Sequence, residues 1–387
     1  MGDSDRPAYV ANVVRGIGEI GAADWDACAG GDNPFVSHAF LEALEESGSA
    51  APATGWAPHH LVIEDGLGRV QGVAPLYLKS HSQGEYVFDH GWADAFERAG
   101  GRYYPKFQLS VPFSPVTGPR LMTRPGPAAE AVRRALITAC MEVTERAGVS
   151  SLHVTFTTED DWRALAAAGF LQRSDRQFHW TNQGYADFDS YLGGLASRKR
   201  KAVKRERRAA IASGLQIEIV TGCDIKSKHW DAFFACYIAT SHNKWGTPYL
   251  NRDFFARLGE TMAERVALIM AADDGRYVAG ALNLIGADTL YGRNWGCLGD
   301  YPFLHFEVCY YQAIEFAIGR GLATVEAGAQ GPHKIARGYL PVRTHSAHWI
   351  RHPGLRDAIE DYIGHERDAV DQEIEALADY SPFRKEE

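Results

Sequence analysis

The chain has 387 residues, with 40 Lys and Arg against 49 Asp and Glu, so its formal charge at pH 7 is −9. This length exceeds the roughly 250–300 residues at which a single hydrophobic core stops growing, and it predicts two domains. A hydrophobic fraction of 45% and a charged fraction of 23% are ordinary for a folded soluble protein, and the absence of any apolar run near ~18 residues excludes a membrane span.

The N-terminus and the cysteines indicate a cytoplasmic protein. The segment MGDSDRPAYV has no apolar stretch to act as a signal, and Arg6 stands where myristoylation requires Ser or Thr. The six cysteines are scattered and never form C-x-x-C, so we expect reduced thiols.

The first half of the chain has a mixed pattern of strands and helices. Ser37 is placed to cap a helix over 35–47, and strands are predicted over 61–64 and 70–79 around the turn Asp65-Gly66-Leu67-Gly68. Residues 80–127 are rich in Gly, Pro and aromatic residues, and we interpret them as a long functional loop. The elements predicted after it are a helix near 128–147 ended by Gly148, a strand over 151–155 and a helix near 159–168.

A strongly basic helix is predicted over 197–213, with Ser197 as its N-cap. Its eight cations are Arg198, Lys199, Arg200, Lys201, Lys204, Arg205, Arg207 and Arg208, and Glu206 is the single acid among them. A field opposite in sign to the whole chain favours a polyanionic partner such as a phosphate, a nucleotide or RNA, whereas a solvated helix face is the alternative. The basic helix has no aromatic residue for base stacking, which disfavours sequence-specific nucleic-acid recognition, and no DNA partner is expected.

The second half repeats the order of the first. Strands are predicted over 266–271, 277–285 and 289–295, then a helix over 303–320 ended by Gly321, then a strand over 323–326. We interpret this as a duplicated α/β unit, with domains at 1–180 and 181–387, although chance recurrence of a common pattern is the alternative. A final helix over 353–379 is assigned to the second domain.

Two segments of the second half carry polar side chains beside glycines. Residues 326–339 follow a buried strand, and ligands bind at the carboxyl ends of strands in α/β folds; a surface turn with solvated cations is the alternative. Residues 291–299 lead from a strand into a helix, where free N–H groups would face an anion. His305 and Glu307 lie near the start of that helix, where they either orient a ligand or cap the helix.

Several common chemistries are excluded. The chain has no G-x-x-x-x-G-K-[ST] and no G-x-S-x-G, and the H-x-E at 305–307 is not followed by P-C-x-x-C. His345, His348 and His352 cannot share one face of a strand, so no metal site is predicted.

Four stretches together resemble a known family: PFSPVTGPRLM at 112–122, SRKRKAVKRERR at 197–208, FLHFEVCYYQAIEFAIGRGL at 303–322 and EAGAQGPHKIARGYLP at 326–341. Over roughly residues 30–350 the chain resembles the FemAB-like N-acyltransferases of the GNAT superfamily. The resemblance implies an α/β (α+β) fold of two tandem GNAT-like domains, each a mixed, mostly antiparallel sheet flanked by helices. Relatives transfer an acyl or aminoacyl group to an amine, from acyl-CoA or from aminoacyl-tRNA.

The chain departs from this pattern in two places. The GNAT pyrophosphate loop is usually Q/R-x-x-G-x-G/A, whereas the segment from Arg293 ends in Leu298; the coiled-coil arm of some Fem proteins is also missing. We therefore expect an N-acyltransferase with acyl-CoA as the favoured co-substrate and no permanently bound cofactor. A Fem-like peptidyltransferase that uses a tRNA acceptor stem on a cell-wall precursor is one alternative, and a non-catalytic nucleotide- or precursor-binding protein is the other.

The resemblance and the residue pattern together give a set of candidate site residues. The candidate bases are Glu326, His333 and Glu307. The residues expected to bind donor phosphates are Arg293, Gly296, Gln330, Gly331, Lys334 and Arg337, and those expected to bind a second polyanion are Arg198, Arg200, Lys204 and Arg205. The residues expected near the amine acceptor are Tyr104, Trp295 and His305.

Overall fold

The computed structural model describes residues 9–212, 214–244, 247–328 and 331–384. Contacts within the chain group it into two compact units. The first takes the residues up to 175 together with 344–370, and the second takes 176–343 together with the residues from 371 onward. The domain division at residue 180 stays a prediction, and this grouping differs from it by placing 344–370 with the first unit.

Fifteen strands are found in the described part of the chain. They are β1 Val10–Val14, β2 Trp56–Pro58, β3 His60–Glu64, β4 Val70–Ala74, β5 Leu76–Lys79, β6 Lys106–Leu109, β7 Met122–Thr123, β8 Ser151–Thr157, β9 Leu171–Thr181, β10 Gln216–Thr221, β11 Val266–Asp273, β12 Arg276–Ile285, β13 Thr289–Cys297, β14 Thr324–Glu326 and β15 Leu340–Ile350.

The α-helices of the described residues are α1 Ala22–Ala29, α2 His38–Glu46, α3 His90–Arg98, α4 Ala129–Ala147, α5 Glu159–Ala167, α6 Phe188–Gly194, α7 Ser197–Ile211, α8 Ser227–Lys244, α9 Arg252–Thr261, α10 Leu304–Phe306, α11 Gln312–Gly319 and α12 Pro353–Ala378. A π-helical stretch, Glu307–Tyr311, joins α10 to α11. Among the described residues, no helix is both long enough and apolar enough to cross a membrane.

The first unit contains two sheets. One is antiparallel, in the order β1-β3-β4-β7, and the other runs in the order β15-β8-β6-β5-β2 with β6 and β8 parallel. Apolar side chains of β6 and β8, such as Phe107 and Val154, pack with Val132 and Leu136 of α4 in a buried core. The left-handed Gly148, with φ of 62°, ends α4 and leads the chain into β8.

The second unit is built on strands in the order β10-β11-β12-β13-β14-β9, of which only β13 and β14 are parallel. Their register ends at the pair Tyr291 and Glu326, because β14 stops there while β13 continues beside β12 to Cys297. The two strands therefore part at Glu326. The buried core beneath them includes Leu290, Val325, Ile314 and Ala317.

The two units repeat one order of elements. In the first, β5 and β6 are antiparallel, α4 follows, and β8 returns parallel to β6. In the second, β12 and β13 are antiparallel, the helix α10–α11 follows, and β14 returns parallel to β13. This correspondence confirms the predicted α/β class and the tandem repeat of mixed, mostly antiparallel sheets flanked by helices.

Two predictions about local structure were wrong. The segment 80–127 is not one loop, since it contains α3, β6 and β7. Ser197 is the first helical residue of α7 and not its N-cap, a position taken by Ala196. By contrast, Ser37 does cap α2, because its side chain accepts a hydrogen bond from the Phe40 N–H.

Candidate functional site

The start of the basic helix α7 is held by the end of the chain. The Ala196 N–H donates to the Pro382 carbonyl at 2.8 Å, and the Arg384 N–H donates to the Gly194 carbonyl at 3.0 Å. Phe383 packs against the second unit's core. The segment after α12 therefore fixes the position from which α7 departs.

The inner face of α7 is attached by charge pairs. Arg207 donates from Nε to both carboxylate oxygens of Glu307 at 3.1 Å, and from Nη2 to Glu307 and Glu315 at 2.8 Å. Glu307 is 2% exposed and also accepts from Gln312 Nε2 at 2.7 Å. Because its carboxylate is fully engaged in anchoring α7, Glu307 is not placed as a free base.

Glu206, the single acid of the basic run, holds Arg337. Its carboxylate accepts from Arg337 Nη2 at 2.8 Å and from the Tyr311 hydroxyl. Arg337 also donates to the Tyr311 hydroxyl at 3.0 Å and to the His333 carbonyl at 2.7 Å, and its guanidinium lies 3.5 Å from the ring centroid of Phe306. Arg337 was expected to bind phosphate, but these contacts use all three of its guanidinium nitrogens.

A cavity of about 780 Å³ lies against α7, within the second unit. It is lined by Arg198, Lys199, Lys201, Ala202, Val203, Lys204, Arg205, Glu206, Arg208, Tyr311, Ala336 and Arg337. The basic helix and residues 336–337 thus share one cavity, with Val203, Tyr311 and Ala336 among its lining.

The outer face of α7 presents cations that lack counter-ions. In the part of the chain that the structure describes, Arg198, Lys201 and Arg205 make no ion pair, whereas Lys204 lies 3.6 Å from Asp189. Of the four predicted polyanion ligands, Arg198, Lys204 and Arg205 line the cavity and Arg200 does not. Unpaired cations around a concave surface raise the local concentration of anions.

Glu326 lies at the end of β14, where β13 and β14 part. Burial raises the pKa of its carboxyl to about 8, although the Arg293 guanidinium opposes this shift. His179 of the neighbouring strand β9 has its Nε2 3.8 Å from Glu326 Oε1, and burial, aided by the charge of Lys334, lowers the pKa of this imidazole to about 4. A carboxyl with a pKa near neutrality can exchange a proton with a substrate.

The remaining predicted residues of 326–339 have distinct environments. Lys334 is 2% exposed and donates to the Gly328 carbonyl at 2.8 Å, and burial lowers the pKa of its ammonium to about 8. His333 is exposed; its Nε2 lies 3.0 Å from the Tyr310 hydroxyl, and partial burial with the nearby positive charges lowers its pKa. Gly331 precedes this turn with a φ of 120°, and Gln330 lies outside the described residues.

Two of the three predicted acceptor residues come together. The rings of Trp295 and His305 have centroids 5.3 Å apart, and His305 lies 5.3 Å from Tyr310 and 6.4 Å from His333. Tyr104 belongs to the first unit, where its hydroxyl is hydrogen-bonded to Ser82 at 2.8 Å.

The predicted role of Gly296 as a phosphate-binding residue does not fit its position. It lies inside β13, opposite Gly280 of β12, rather than in a loop before a helix. A Cβ at Gly296 would overlap the main chain of Cys236 and Tyr237 in α8. The glycine therefore allows α8 to lie directly on the sheet, and the next ladder N–H, that of Cys297, donates to Thr240 Oγ1 at 2.9 Å.

Four side chains of this site were not predicted: His179, Glu206, Arg207 and Tyr311. Glu206 had a signal, since a lone acid within a basic run needs a partner. Tyr311 had none, because the π-helical stretch shifts which residues face α7. Within the described residues, no group of His, Cys, Asp and Glu side chains is arranged to hold a metal ion.

Comparison with known proteins identifies relatives of this arrangement. The model of the FemAB-like family, described as peptidoglycan biosynthesis/recognition, matches residues 16–385. Among curated proteins, none matches the chain.

Solved structures resemble the chain over most of its length. FemX has 13% identity and a TM-score of 0.55, with 88% of this chain and 98% of FemX covered. The C-terminal domain of a proposed lysylphosphatidylglycerol synthetase from Agrobacterium fabrum has 9% identity and a TM-score of 0.52, with 88% and 96% covered. A tandem GNAT protein from the clavulanic acid biosynthesis pathway has 15% identity and a TM-score of 0.47, with 89% and 99% covered.

Proposed function

Since this chain belongs to the FemAB-like family, we propose that it transfers an aminoacyl group from a phosphate-bearing carrier, bound along α7, to an amine acceptor. Acyl or aminoacyl transfer is the activity class of the family and of the tandem GNAT-like fold.

The observation that carries the proposal is the cavity beside α7. Its wall holds cations without counter-ions, including Arg198, Lys201 and Arg205, and its lining includes the apolar surfaces of Val203 and Ala336. Neighbouring cations repel each other, and a bound anion offsets this repulsion because it attracts each of them. Phosphate oxygens accept hydrogen bonds from several guanidinium and ammonium groups at once, which suits this arrangement.

The extent of the basic face favours a nucleic-acid carrier over CoA. From Arg198 to Arg208 the helix rises roughly 15 Å, a length that a chain of several phosphates can follow. The segment expected to bind the CoA pyrophosphate, from Arg293 to Leu298, lies mostly within β13, whose ladder with β12 has a bulge at Arg293, rather than in a loop before a helix. We therefore favour aminoacyl-tRNA as the donor, whereas the sequence alone favoured acyl-CoA.

Glu326 is the residue that we assign as proton acceptor. The acceptor amine attacks the carbonyl of the aminoacyl ester and loses a proton, while the ester bond to the carrier breaks and the departing carrier oxygen takes up a proton. A base is most effective when its pKa is close to the working pH. Burial raises the pKa of Glu326 to about 8, and the residue lies at a strand end, in the last pair of β14 with β13. His333, hydrogen-bonded to Tyr310, is the second candidate for this role.

The aromatic group around His305 is our candidate for the acceptor side. Trp295 and His305 are half-buried and in ring contact, and an aromatic face attracts the ammonium form of an amine before it is deprotonated. The assignment of Tyr104 to the acceptor stays a prediction.

Binding of RNA by a charge-neutralised variant tests this function. Replacing Arg198, Lys201 and Arg205 together by Gln should weaken binding of aminoacyl-tRNA at least tenfold. It should also lower the slope of log Kd against log salt by about 2–3, because each phosphate contact that forms releases about one counter-ion and three such contacts are removed. The measurement is fluorescence anisotropy with labelled tRNA over a salt series.

The matched control replaces three exposed cations elsewhere, Arg102, Lys228 and Arg276, by Gln, which changes the net charge equally. Its tRNA affinity should stay close to that of the wild type. Equal weakening in both triple variants would refute a localised RNA site. Tight binding of acetyl-CoA that is lost only in the α7 variant would assign the cavity to acyl-CoA instead.

A further inference from the structure

One face of the sheet in the second unit carries polar side chains at the end of β14. Glu326 lies directly opposite His179 in the antiparallel ladder of β14 and β9, so their side chains stand on the same face of the sheet. Gln177, two residues before His179 in β9, shares that face. The other face is apolar there, since Val325 and Trp180 pair with each other and belong to the buried core.

One nitrogen of the His179 imidazole has two acceptor oxygens near it. Nε2 lies 3.1 Å from Gln177 Oε1 and 3.8 Å from Glu326 Oε1. Because both neighbours accept hydrogen bonds, the ring proton is placed on Nε2, which then donates to Gln177. The contact with Glu326 is longer than a hydrogen bond, and a movement of the carboxylate by about 1 Å closes it. Catalytic hydrogen bonds commonly tighten in this way when a substrate is bound.

The carboxyl of Glu326 and the imidazole of His179 both retain some contact with solvent. The side chain of Glu326 is 12% exposed and that of His179 is 14% exposed. Glu326 also forms the last pair of β14 with β13, opposite Tyr291, and β13 continues beyond it beside β12. The pair of side chains is therefore mostly buried, yet a small amine can reach the carboxyl without any opening of the core.

We propose that His179 is a positioning residue for Glu326: its Nε2–H donates to Oε1 of the ionised carboxylate and leaves Oε2 to take the proton of the attacking amine. This inference rests on the function proposed above, in which Glu326 is the proton acceptor. Gln177 holds the imidazole at the other side of the same N–H and competes with Glu326 for it. One hydrogen is thus shared between a fixed amide oxygen and the reacting carboxylate.

The charged groups around this pair keep the imidazole neutral and the carboxyl close to its titration point. Burial raises the pKa of Glu326 to about 8; the Arg293 guanidinium of β13 opposes this shift, and the Asp288 carboxylate adds to it. Burial, aided by the Lys334 ammonium, lowers the pKa of His179 to about 4. The imidazole therefore offers one N–H at neutral pH and does not compete with Glu326 for the substrate's proton.

Titration of the Glu326 carboxyl carbon by ¹³C NMR in the whole chain tests this contact, with the signal identified by its absence in Glu326→Gln. His179→Phe keeps a ring but removes the N–H, so the titration midpoint should rise by about one pH unit, because the charged form loses a donor. Gln177→Met removes the competing acceptor, so the midpoint should fall, because the N–H is then available to Glu326 alone.

His179→Gln is the matched control, because its amide nitrogen donates from nearly the place of the imidazole Nε2. Its midpoint should stay close to that of the wild type. The proposal requires opposite shifts in His179→Phe and Gln177→Met, and any other pair of directions would overturn it. If His179→Phe does not fold, a midpoint that stays or rises in Gln177→Met is sufficient to overturn the proposal, and a fall supports it.

The pH dependence of single-turnover transfer separates this inference from the proposed function. In His179→Phe the rate at pH 7 should fall about tenfold while the plateau above the limb is unchanged, which a loss of folded protein alone does not produce. NMR midpoints that shift as expected, together with a wild-type transfer rate that has no limb near pH 8, would support the contact and overturn Glu326 as the base. A wild-type limb near pH 8 with unshifted NMR midpoints would retain the base and overturn the role of His179.

Discussion

The two units of this protein share an order of strands, but their basic residues lie in opposite environments. In the first, Lys106 is enclosed with Glu85 and Asp89 on a buried sheet face. In the second, Arg198 and Arg205 line an open cavity and make no ion pair among the described residues. A buried charge with a partner of opposite sign stabilises the fold, unless polar atoms beside it remain unpaired. A charge without such a partner beside a cavity indicates where a ligand of opposite charge binds.

The same contrast appears within α7 alone. Arg207 is bound by two carboxylates and fixes the helix, while Arg205, two residues earlier, has no ion pair among the described residues. Composition cannot separate these two arginines. Only the helical phase, with Val203 and Ala210 buried, decides which cations face the core.

The largest expected effect is on turnover, in Glu326→Gln. This change removes the proposed base while keeping the shape of the side chain, and we expect aminoacyl transfer to fall about 100- to 10,000-fold. In the wild type the rate should rise with pH through about 8, because the carboxylate is the active form, and then level off. The pH dependence of single-turnover transfer measures this, and the limb near pH 8 should vanish in the variant.

Glu307→Gln is the control for that experiment, because the sequence nominates both carboxylates. It weakens the anchor of α7 by removing a charge from the pair with Arg207, so its unfolding midpoint should drop while the limb near pH 8 persists. Loss of that limb in Glu307→Gln, with Glu326→Gln normal, would reverse the two roles.

The next effect is on stability, in Lys106→Met. Removal of this cation leaves Glu85 and Asp89 buried close together without their shared partner, and we expect the free energy of unfolding to fall by about 3–5 kcal/mol. Lys79→Met should cost less, because Lys79 makes one hydrogen bond and only a 3.9 Å ion pair. Urea unfolding at pH 7 compares the two variants, and equal losses would contradict the unequal pairing.

The difference between the units also explains what the sequence can predict. Period, caps and glycine stops predicted α2, α4, α11 and the hairpins, because these depend on local patterns. The interpretation of residues 80–127 as a loop failed, because α3 is short and β6 begins with Lys106, a residue that propensity assigns to the surface. Its burial depends on Glu85 and Asp89, which are distant in sequence.

The candidate site divides in a similar way. A charge run and a glycine-rich strand end indicated α7 and 326–339, and of the second segment the structure brings residues 336–337 to the cavity beside α7. The partners of Arg207 and Arg337 were not predictable, since Glu307 and Glu206 lie 100 and 131 residues away from them. The sequence around Gly296 suggested a phosphate site because two roles of glycine have the same sequence pattern. A glycine can allow a helix to pack closely on a strand, or it can allow a phosphate to approach the main chain.

The smallest expected effect is on stability, in Gly296→Ala, and it distinguishes close helix packing from phosphate binding as the role of this glycine. Gly296→Ala places a methyl group against the main chain of α8, which cannot rotate away, so we expect a loss of about 2–3 kcal/mol in unfolding free energy. Gly72→Ala, in β4 of the first unit, places its methyl group mainly against the side chains of Val132 and Leu136, which can adjust, and at 3.3 Å from the Met122 carbonyl oxygen, so it should cost about half as much. Urea unfolding gives both values, and tRNA anisotropy should give an unchanged Kd for folded Gly296→Ala, because the residue spaces α8 from the sheet. A Kd that weakens tenfold at full stability would instead return Gly296 to the phosphate site.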